Sequence, residues 1–155
     1  MITGYSIEQV LPHRSPMILL DNFIEAGADY AVCKVTIAEH SQFYDGASQT
    51  VPAYVGIEYM AQTIAAYAGA SNLAKGGAVK IGFLLGCRKY QPEVTAFMLG
   101  TELTVTATEL VTEDNGLSVF ECSIMQQQQL LVSARLNVFQ PDNHLIQKVF
   151  EKDHL

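Results

Sequence analysis

The sequence has few of the features that mark nucleic-acid-binding proteins, metalloproteins or exported proteins. Nine Lys and Arg residues stand against sixteen Asp and Glu residues, and the resulting net charge of −7 disfavours contact with nucleic acid. The four histidines are isolated along the chain, so no metal-ligand spacing is present. The first residues lack the basic start and continuous apolar run of a signal peptide. We therefore expect no nucleic-acid partner, no metal and no other cofactor.

The cysteines and glycines also form no recognised motif. The three cysteines, Cys33, Cys87 and Cys122, are odd in number and form no CxxC motif, so we interpret them as reduced core residues of a cytoplasmic protein. No glycine-rich phosphate loop and no alternation of strand and helix appears, which removes dinucleotide-binding and P-loop enzymes. With 49% apolar residues, the 155-residue chain has enough apolar side chains for one domain over 1–140, and 141–155 is left as a tail or a short docking helix.

What the sequence does contain is one long apolar segment, Val51–Asn72, which we predict to be a buried helix. Between Asp45 and Lys75 the only charged residue is Glu58, and many of the others are Ala or Gly. Pro52 suits the first helical turn, where its missing N–H is no loss. A membrane span is rejected because polar side chains and Glu58 interrupt the segment.

Most of the remaining chain has the patterns of strands and turns. Ser6 to Gln9 has the spacing of a capping box and predicts a short helix. Asp114-Asn115-Gly116 is a hairpin signal, and Gln126–Gln129 is interpreted as a second, solvated hairpin tip. The predicted strands are Met17–Ile24, Tyr30–Ile37, Lys80–Tyr90, Glu102–Thr112, Leu117–Met125 and Leu130–Phe139. The fold class is therefore α+β, with a long helix against a mostly antiparallel sheet of five or six strands.

Glu58 is the first candidate for acid–base chemistry. A lone carboxylate in such a helix either finds partners or is held neutral, because burying its charge is costly. Strongly perturbed carboxylates of this kind cluster at functional sites. The alternative is a structural role in which Glu58 bridges backbone groups.

Three segments resemble one family. The segment SIEQVLPHRSPMILLDNF looks like the start of the hot-dog-fold 3-hydroxyacyl-acyl-carrier-protein dehydratases. VPAYVGIEYMAQTIAAYAG is similar to their central helix, with Glu58 followed by Ala61-Gln62, and GFLLGCRKYQPEV resembles the next strand. The similarity extends from about Tyr5 to Phe139, and the dehydratase-like branch associated with aryl polyene biosynthesis is the nearest in pattern.

The resemblance implies a sheet wrapped around the helix, two subunits joined through their sheets, and an acyl tunnel beside the helix at the subunit interface. Elimination of water would then be carried by Glu58, acting on the hydroxyl, and by a loop histidine. The Ala53 amide, at a position that is glycine in the family, would stabilise the developing oxyanion at the helix N-terminus. Pro52, Ala53, Tyr44 and Gln62 are the predicted substrate-binding residues.

The loop before the helix departs from the family pattern. The family histidine lies fourteen residues before the acid, and that position is Tyr44 here. The nearest histidine is His40, which we take as the candidate base because imidazole changes charge near neutral pH. Tyr44 is the weaker candidate, since a phenol keeps its proton at pH 7. His13 and Arg14 are interpreted as structural residues with a smaller chance of contacting substrate.

A small basic cluster stands out in this acidic chain. Lys75, Lys80, Arg88 and Lys89 lie within fifteen residues and form a candidate docking patch for an acidic acyl carrier protein, the alternative being ordinary solvated side chains.

The leading function is dehydration of 3-hydroxyacyl thioesters carried on acyl carrier protein, or on coenzyme A, by a homodimer or a heterodimer with a related subunit. The alternatives are an acyl thioesterase and a non-catalytic or half-site subunit of a heteromeric dehydratase.

Overall fold

The computed structural model describes residues 1–141, and the predicted docking helix in 141–155 lies outside the described residues except for Pro141. Two helices and eight strands follow one another along the chain. They are α1 (Ile7–Val10), β1 (Asn22–Ala26), β2 (Tyr30–Thr36), β3 (Thr50–Pro52), α2 (Gly56–Ala74), β4 (Phe83–Pro92), β5 (Ala96–Met98), β6 (Glu102–Thr112), β7 (Leu117–Gln126) and β8 (Gln129–Phe139).

Six strands form one antiparallel sheet in the order β1-β2-β6-β7-β8-β4. Side-chain alternation decides which face is the core: Leu103, Val105 and Ala107 of β6 are fully buried, while Thr104 and Thr106 between them are partly exposed. Helix α2 packs against this inner face, mainly on β1, β2, β6 and β7. The predicted α+β class and the hot-dog arrangement of one long helix wrapped by a sheet are confirmed.

The start of the long helix differs from the prediction. Thr50–Pro52 is strand β3, Ala53–Val55 is a 3-10 turn, and α-helix begins only at Gly56 and continues to Ala74. Pro52 is therefore not in the first helical turn, because it pairs with Ala96 of β5. This β3–β5 ribbon joins segments more than forty residues apart, a pairing that no local pattern indicates.

The first predicted strand was also misplaced. Met17–Ile24 was expected to be extended in the sheet, but β1 spans Asn22–Ala26. The backbones of Met17 and Leu19 bond instead to the side chain of Gln62 on α2. The last three predicted strands and both hairpin turns are confirmed within one residue.

Two of the three free cysteines lie in the core. Cys33 and Cys122 are almost fully inaccessible, and burial raises the pKa of each thiol to about 12. Cys87 on β4 is half-buried. Among residues 1–141, no helix combines the length and hydropathy needed to cross a membrane.

Helices α1 and α2 approach each other closely at Gly69. A Cβ atom on Gly69 would lie 1.9 Å from the carbonyl oxygen of Val10, so α2 can take no side chain there. This contact fixes the segment after α1 along one side of the long helix.

We therefore predict that Gly69→Ala lowers the free energy of unfolding by about 1–3 kcal/mol, the cost of overpacking. In a helix without this contact, the same change would be stabilising by up to ~1 kcal/mol because Ala is the better helix former. Urea denaturation gives the sign. Gly46→Ala is the control, since nothing lies within 4 Å of its added Cβ. A more stable Gly69→Ala protein would contradict the close packing of α1 on α2.

Candidate active site

A cavity of about 710 Å³ lies beside α2, and its volume is within the range of small-molecule sites. One stripe of α2 forms its floor, at the three- and four-residue spacing of a single helix face: Glu58, Ala61, Ala65, Ala68, Asn72 and Lys75. Phe83, Leu84, Phe120 and Val138 lie on the opposite wall. Because three of these six residues are alanine, the helix leaves space here that larger side chains would fill.

Glu58 lies at one end of this stripe, in the first turn of α2, and is half-buried. Its carboxylate accepts a hydrogen bond from the Gln62 side chain at 3.0 Å. The one ion pair among residues 1–141 joins Lys34 and Glu102, so no cation of that region neutralises Glu58. Glu58 is thus a carboxylate presented to a mainly apolar cavity.

Gln62, four residues after Glu58 on α2, holds this carboxylate by a hydrogen bond. Its amide is fully buried: Nε2 donates to Glu58 and to the Met17 carbonyl at 2.8 Å, and Oε1 accepts the Leu19 N–H at 2.9 Å. Its side chain does not line the cavity. Within one chain Gln62 contacts Glu58 and not the cavity, and its predicted role in substrate binding stays a prediction.

The predicted oxyanion donor is already occupied. The Ala53 N–H donates to the Thr95 carbonyl at 3.0 Å, and the Ala53 carbonyl accepts the phenol proton of Tyr90. Burial raises the pKa of Tyr90 to about 12, so the phenol remains a donor at neutral pH. Neither Pro52 nor Ala53 lines the cavity. No local pattern indicates this arrangement, because Thr95 and Tyr90 reach Ala53 only through the β3–β5 ribbon and β4.

His40 and Tyr44 are not brought to Glu58 within one chain. His40 is exposed and lines a separate concavity of about 200 Å³ with Asp21 and Tyr59, while Tyr44 is half-buried against the core and lines neither site. Burial and the nearby Asp21 raise the pKa of Tyr59 to about 12. A role for His40 at Glu58 therefore requires a second subunit.

The histidine that does share the Glu58 cavity is His13. Its Nδ1 is buried and finds no hydrogen-bond partner among the described residues, whereas its backbone carbonyl is held by the Arg14 guanidinium at 2.8 Å. A buried polar atom without a partner costs about 1–3 kcal/mol. Its LPHR motif was visible in the sequence, but nothing there showed which way the imidazole faces.

The four predicted docking residues are divided between two places. Lys75 and Lys80 line the cavity at the end of α2, whereas Arg88 and Lys89 are exposed on β4. Arg135 on β8 stands opposite Arg88 in the register and extends the basic group, a neighbour that the sequence alone did not reveal.

Comparison with known proteins agrees with this architecture. The model of the ApeP-like family, described as ApeP dehydratase, matches residues 5–151. A chain of the dehydratase heterocomplex ApeI:P from Xenorhabdus doucetiae superposes with a TM-score of 0.85 at 29% identity, covering 94% of this chain and 98% of that one.

Sequence relatives carry the name 3-hydroxyacyl-[acyl-carrier-protein] dehydratase FabZ. The Streptococcus pneumoniae protein is 31% identical over 111 residues, covering 70% of this chain and 76% of the relative. The Streptococcus sanguinis protein is 33% identical over 75 residues, or 48% of this chain, and the match spans only about half, 53%, of that relative.

The Gln62 network generates a stability prediction. Gln62→Leu should lower the free energy of unfolding by about 1–3 kcal/mol, because the Leu19 N–H and the Met17 carbonyl lose their hydrogen-bond partner. Chemical denaturation measures the change. Gln128→Leu, in the exposed turn between β7 and β8, is the matched control and should stay within about 0.5 kcal/mol. Equal stability of the two variants would mean that the buried amide does not hold the Met17–Leu19 segment.

Proposed function

Because the chain belongs to the ApeP-like dehydratase family, we propose that it dehydrates 3-hydroxyacyl chains held as thioesters on an acyl carrier protein. The observation that carries the proposal is Glu58, a carboxylate without an ion pair among residues 1–141 that opens into an apolar cavity of about 710 Å³. The names of the FabZ relatives support the substrate class.

The reaction needs a base and an acid on neighbouring carbons. A base takes a proton from C2 of the 3-hydroxyacyl thioester, the electron pair forms the C2–C3 double bond, and the C3–O bond breaks as the hydroxyl leaves as water. Glu58, in its protonated form, supplies the proton to that hydroxyl. Gln62 keeps the carboxyl group turned towards the cavity through its hydrogen bond to Oε1.

The base would come from a second hot-dog subunit. His40 of a second copy of this chain is one source, because its imidazole is exposed in each chain. The other source is a related subunit that brings its own histidine. The name of the ApeI:P heterocomplex, a dehydratase of two kinds of chain, supports this second arrangement.

The edge strand β4 is the surface where such a subunit would pair. It ends the sheet opposite β1, whose own edge is bridged by Ile2 at Ala26. Phe83, Leu84 and Leu85 of β4 are 51%, 42% and 58% exposed, which is unusual for three consecutive large apolar residues. Pairing through β4 would bury them and join the two sheets.

The carrier protein would approach the basic residues. Lys75 and Lys80 at the cavity, with Arg88 and Lys89 on β4, offer positive charge to an acidic partner on an otherwise acidic chain. We also propose a cytoplasmic location, because the three free cysteines suit a reducing compartment.

A second candidate is a half-site subunit that is inactive alone. It is favoured by the placement of His40 and Glu58 in separate concavities of one chain. Turnover by the purified chain alone would eliminate it. Activity only after addition of a second hot-dog subunit would establish it.

We predict that Glu58→Gln lowers kcat/KM for conversion of 3-hydroxyoctanoyl thioester to enoyl thioester by about 10²- to 10⁴-fold, since the amide cannot donate the carboxyl proton. Mass spectrometry of the products measures both the rate and the reaction class. Free thiol instead of enoyl thioester would identify a thioesterase.

Glu8→Gln is the control for loss of one carboxylate, because Glu8 is exposed on α1. Its rate should equal that of the parent. A Glu58→Gln protein with the parent's rate, in the active assembly, would remove Glu58 from the chemistry and with it the proposed function.

The alanines of α2 that line the cavity predict how long an acyl chain the cavity accepts. Ala65→Phe puts a ring into the cavity, so activity on the longest acyl chains should fall by about tenfold or more while short chains are retained. A series of 3-hydroxyacyl thioesters of increasing length gives the profile, and Ala65→Ser, which keeps the residue small, is the control. An unchanged length profile in Ala65→Phe would show that the acyl chain lies elsewhere.

A further inference from the structure

We propose that His13 is a substrate-binding residue of the Glu58 cavity, where its Nδ1 hydrogen-bonds the polar thioester head group of the bound acyl chain. The inference rests on the proposed function for the identity of the ligand. It assigns to the LPHR motif a binding role in place of a purely structural one.

The path of the chain places His13 along the cavity. Before it, Val10 is in contact with Gly69, and after it, the Met17 carbonyl is bonded to Gln62. His13 therefore lies between two anchors on the same helix, and both His13 and Glu58 line the one cavity. The segment is further fixed by the Arg14 guanidinium, which donates to the carbonyls of Leu11 and His13.

The imidazole is held ready for a partner that the described residues do not supply. Its Nδ1 is the one buried side-chain nitrogen or oxygen atom without a hydrogen-bond partner in residues 1–141. Buried polar groups are otherwise almost always paired, so an unpaired one on a residue that lines a cavity indicates a ligand group.

The ligand chemistry follows from the surroundings. Ala65, Ala68, Phe83 and Phe120 are among the residues that line the cavity, and they would take the hydrocarbon part of the substrate. A 3-hydroxyacyl thioester has polar groups only at its hydroxyl and at its thioester end. Since Glu58 takes the hydroxyl in the proposed reaction, the thioester carbonyl or the adjoining pantetheine amide is left for His13.

Two substitutions separate binding from structure. His13→Asn keeps a hydrogen-bonding atom near the position of Nδ1, and His13→Leu removes it while retaining an apolar side chain. In the Glu58→Gln background, which slows turnover, binding of 3-hydroxyoctanoyl pantetheine should weaken about tenfold or more with His13→Leu. With Asn it should stay within about threefold of the His13 protein.

The melting temperature of His13→Leu distinguishes a binding role of His13 from a structural role. If Nδ1 is unpaired in the free protein, His13→Leu should leave the melting temperature unchanged or raise it, because no hydrogen bond is lost. A structural histidine would behave in the other way, with a lower melting temperature and unchanged affinity. That result overturns the inference.

Nitrogen NMR of the histidine side chains supplies the direct observation. Saturation with 3-hydroxyoctanoyl pantetheine should shift the His13 Nδ1 resonance, which is assigned by its loss in His13→Asn. A resonance that does not move while the ligand is bound would overturn the inference. A protein that binds without forming enoyl thioester would contradict only the proposed function, and absence of binding by any variant would contradict both.

Discussion

The buried carboxamide of Gln62 is the interaction on which the site depends. One side chain holds the Met17 carbonyl, the Leu19 N–H and the Glu58 carboxylate together. The segment after α1 is therefore not free to join the sheet, and the Glu58 side chain is not free to turn to solvent. A buried network of this kind is costly when incomplete, so every partner supports the others.

Small residues on α2 have two different effects: on one side they allow close packing, and on the other they leave a cavity. At Gly69 the absence of a side chain lets the Val10 carbonyl approach directly, and Ala66 and Ala70 are fully buried. At Ala61, Ala65 and Ala68, small side chains leave a cavity instead. Composition alone does not distinguish these cases, because what differs is the position of the neighbouring chain.

Features set by local sequence pattern could be predicted, and features set by contacts between distant segments could not. Strands β6, β7 and β8 alternate along the sequence and are joined by short hairpins, so local pattern determines them. Glu58 could be singled out because it is the one charge in a long uncharged segment. The β3–β5 ribbon, the occupied Ala53 N–H and the course of Met17–Leu19 depend on contacts between distant segments, and these were missed.

The histidines show the same limit of prediction from sequence. Spacing from the acid directed attention to His40, but distance along the chain does not decide which residues share a cavity, and His13, forty-five residues before Glu58, is the one that does. A single chain thus brings together a carboxylate, an apolar channel and one unpaired imidazole nitrogen, while its exposed histidine faces elsewhere. Under the proposed function, such a chain supplies the acid and the binding surface of an elimination site. An apolar edge strand beside it is what a second subunit would need in order to supply the rest.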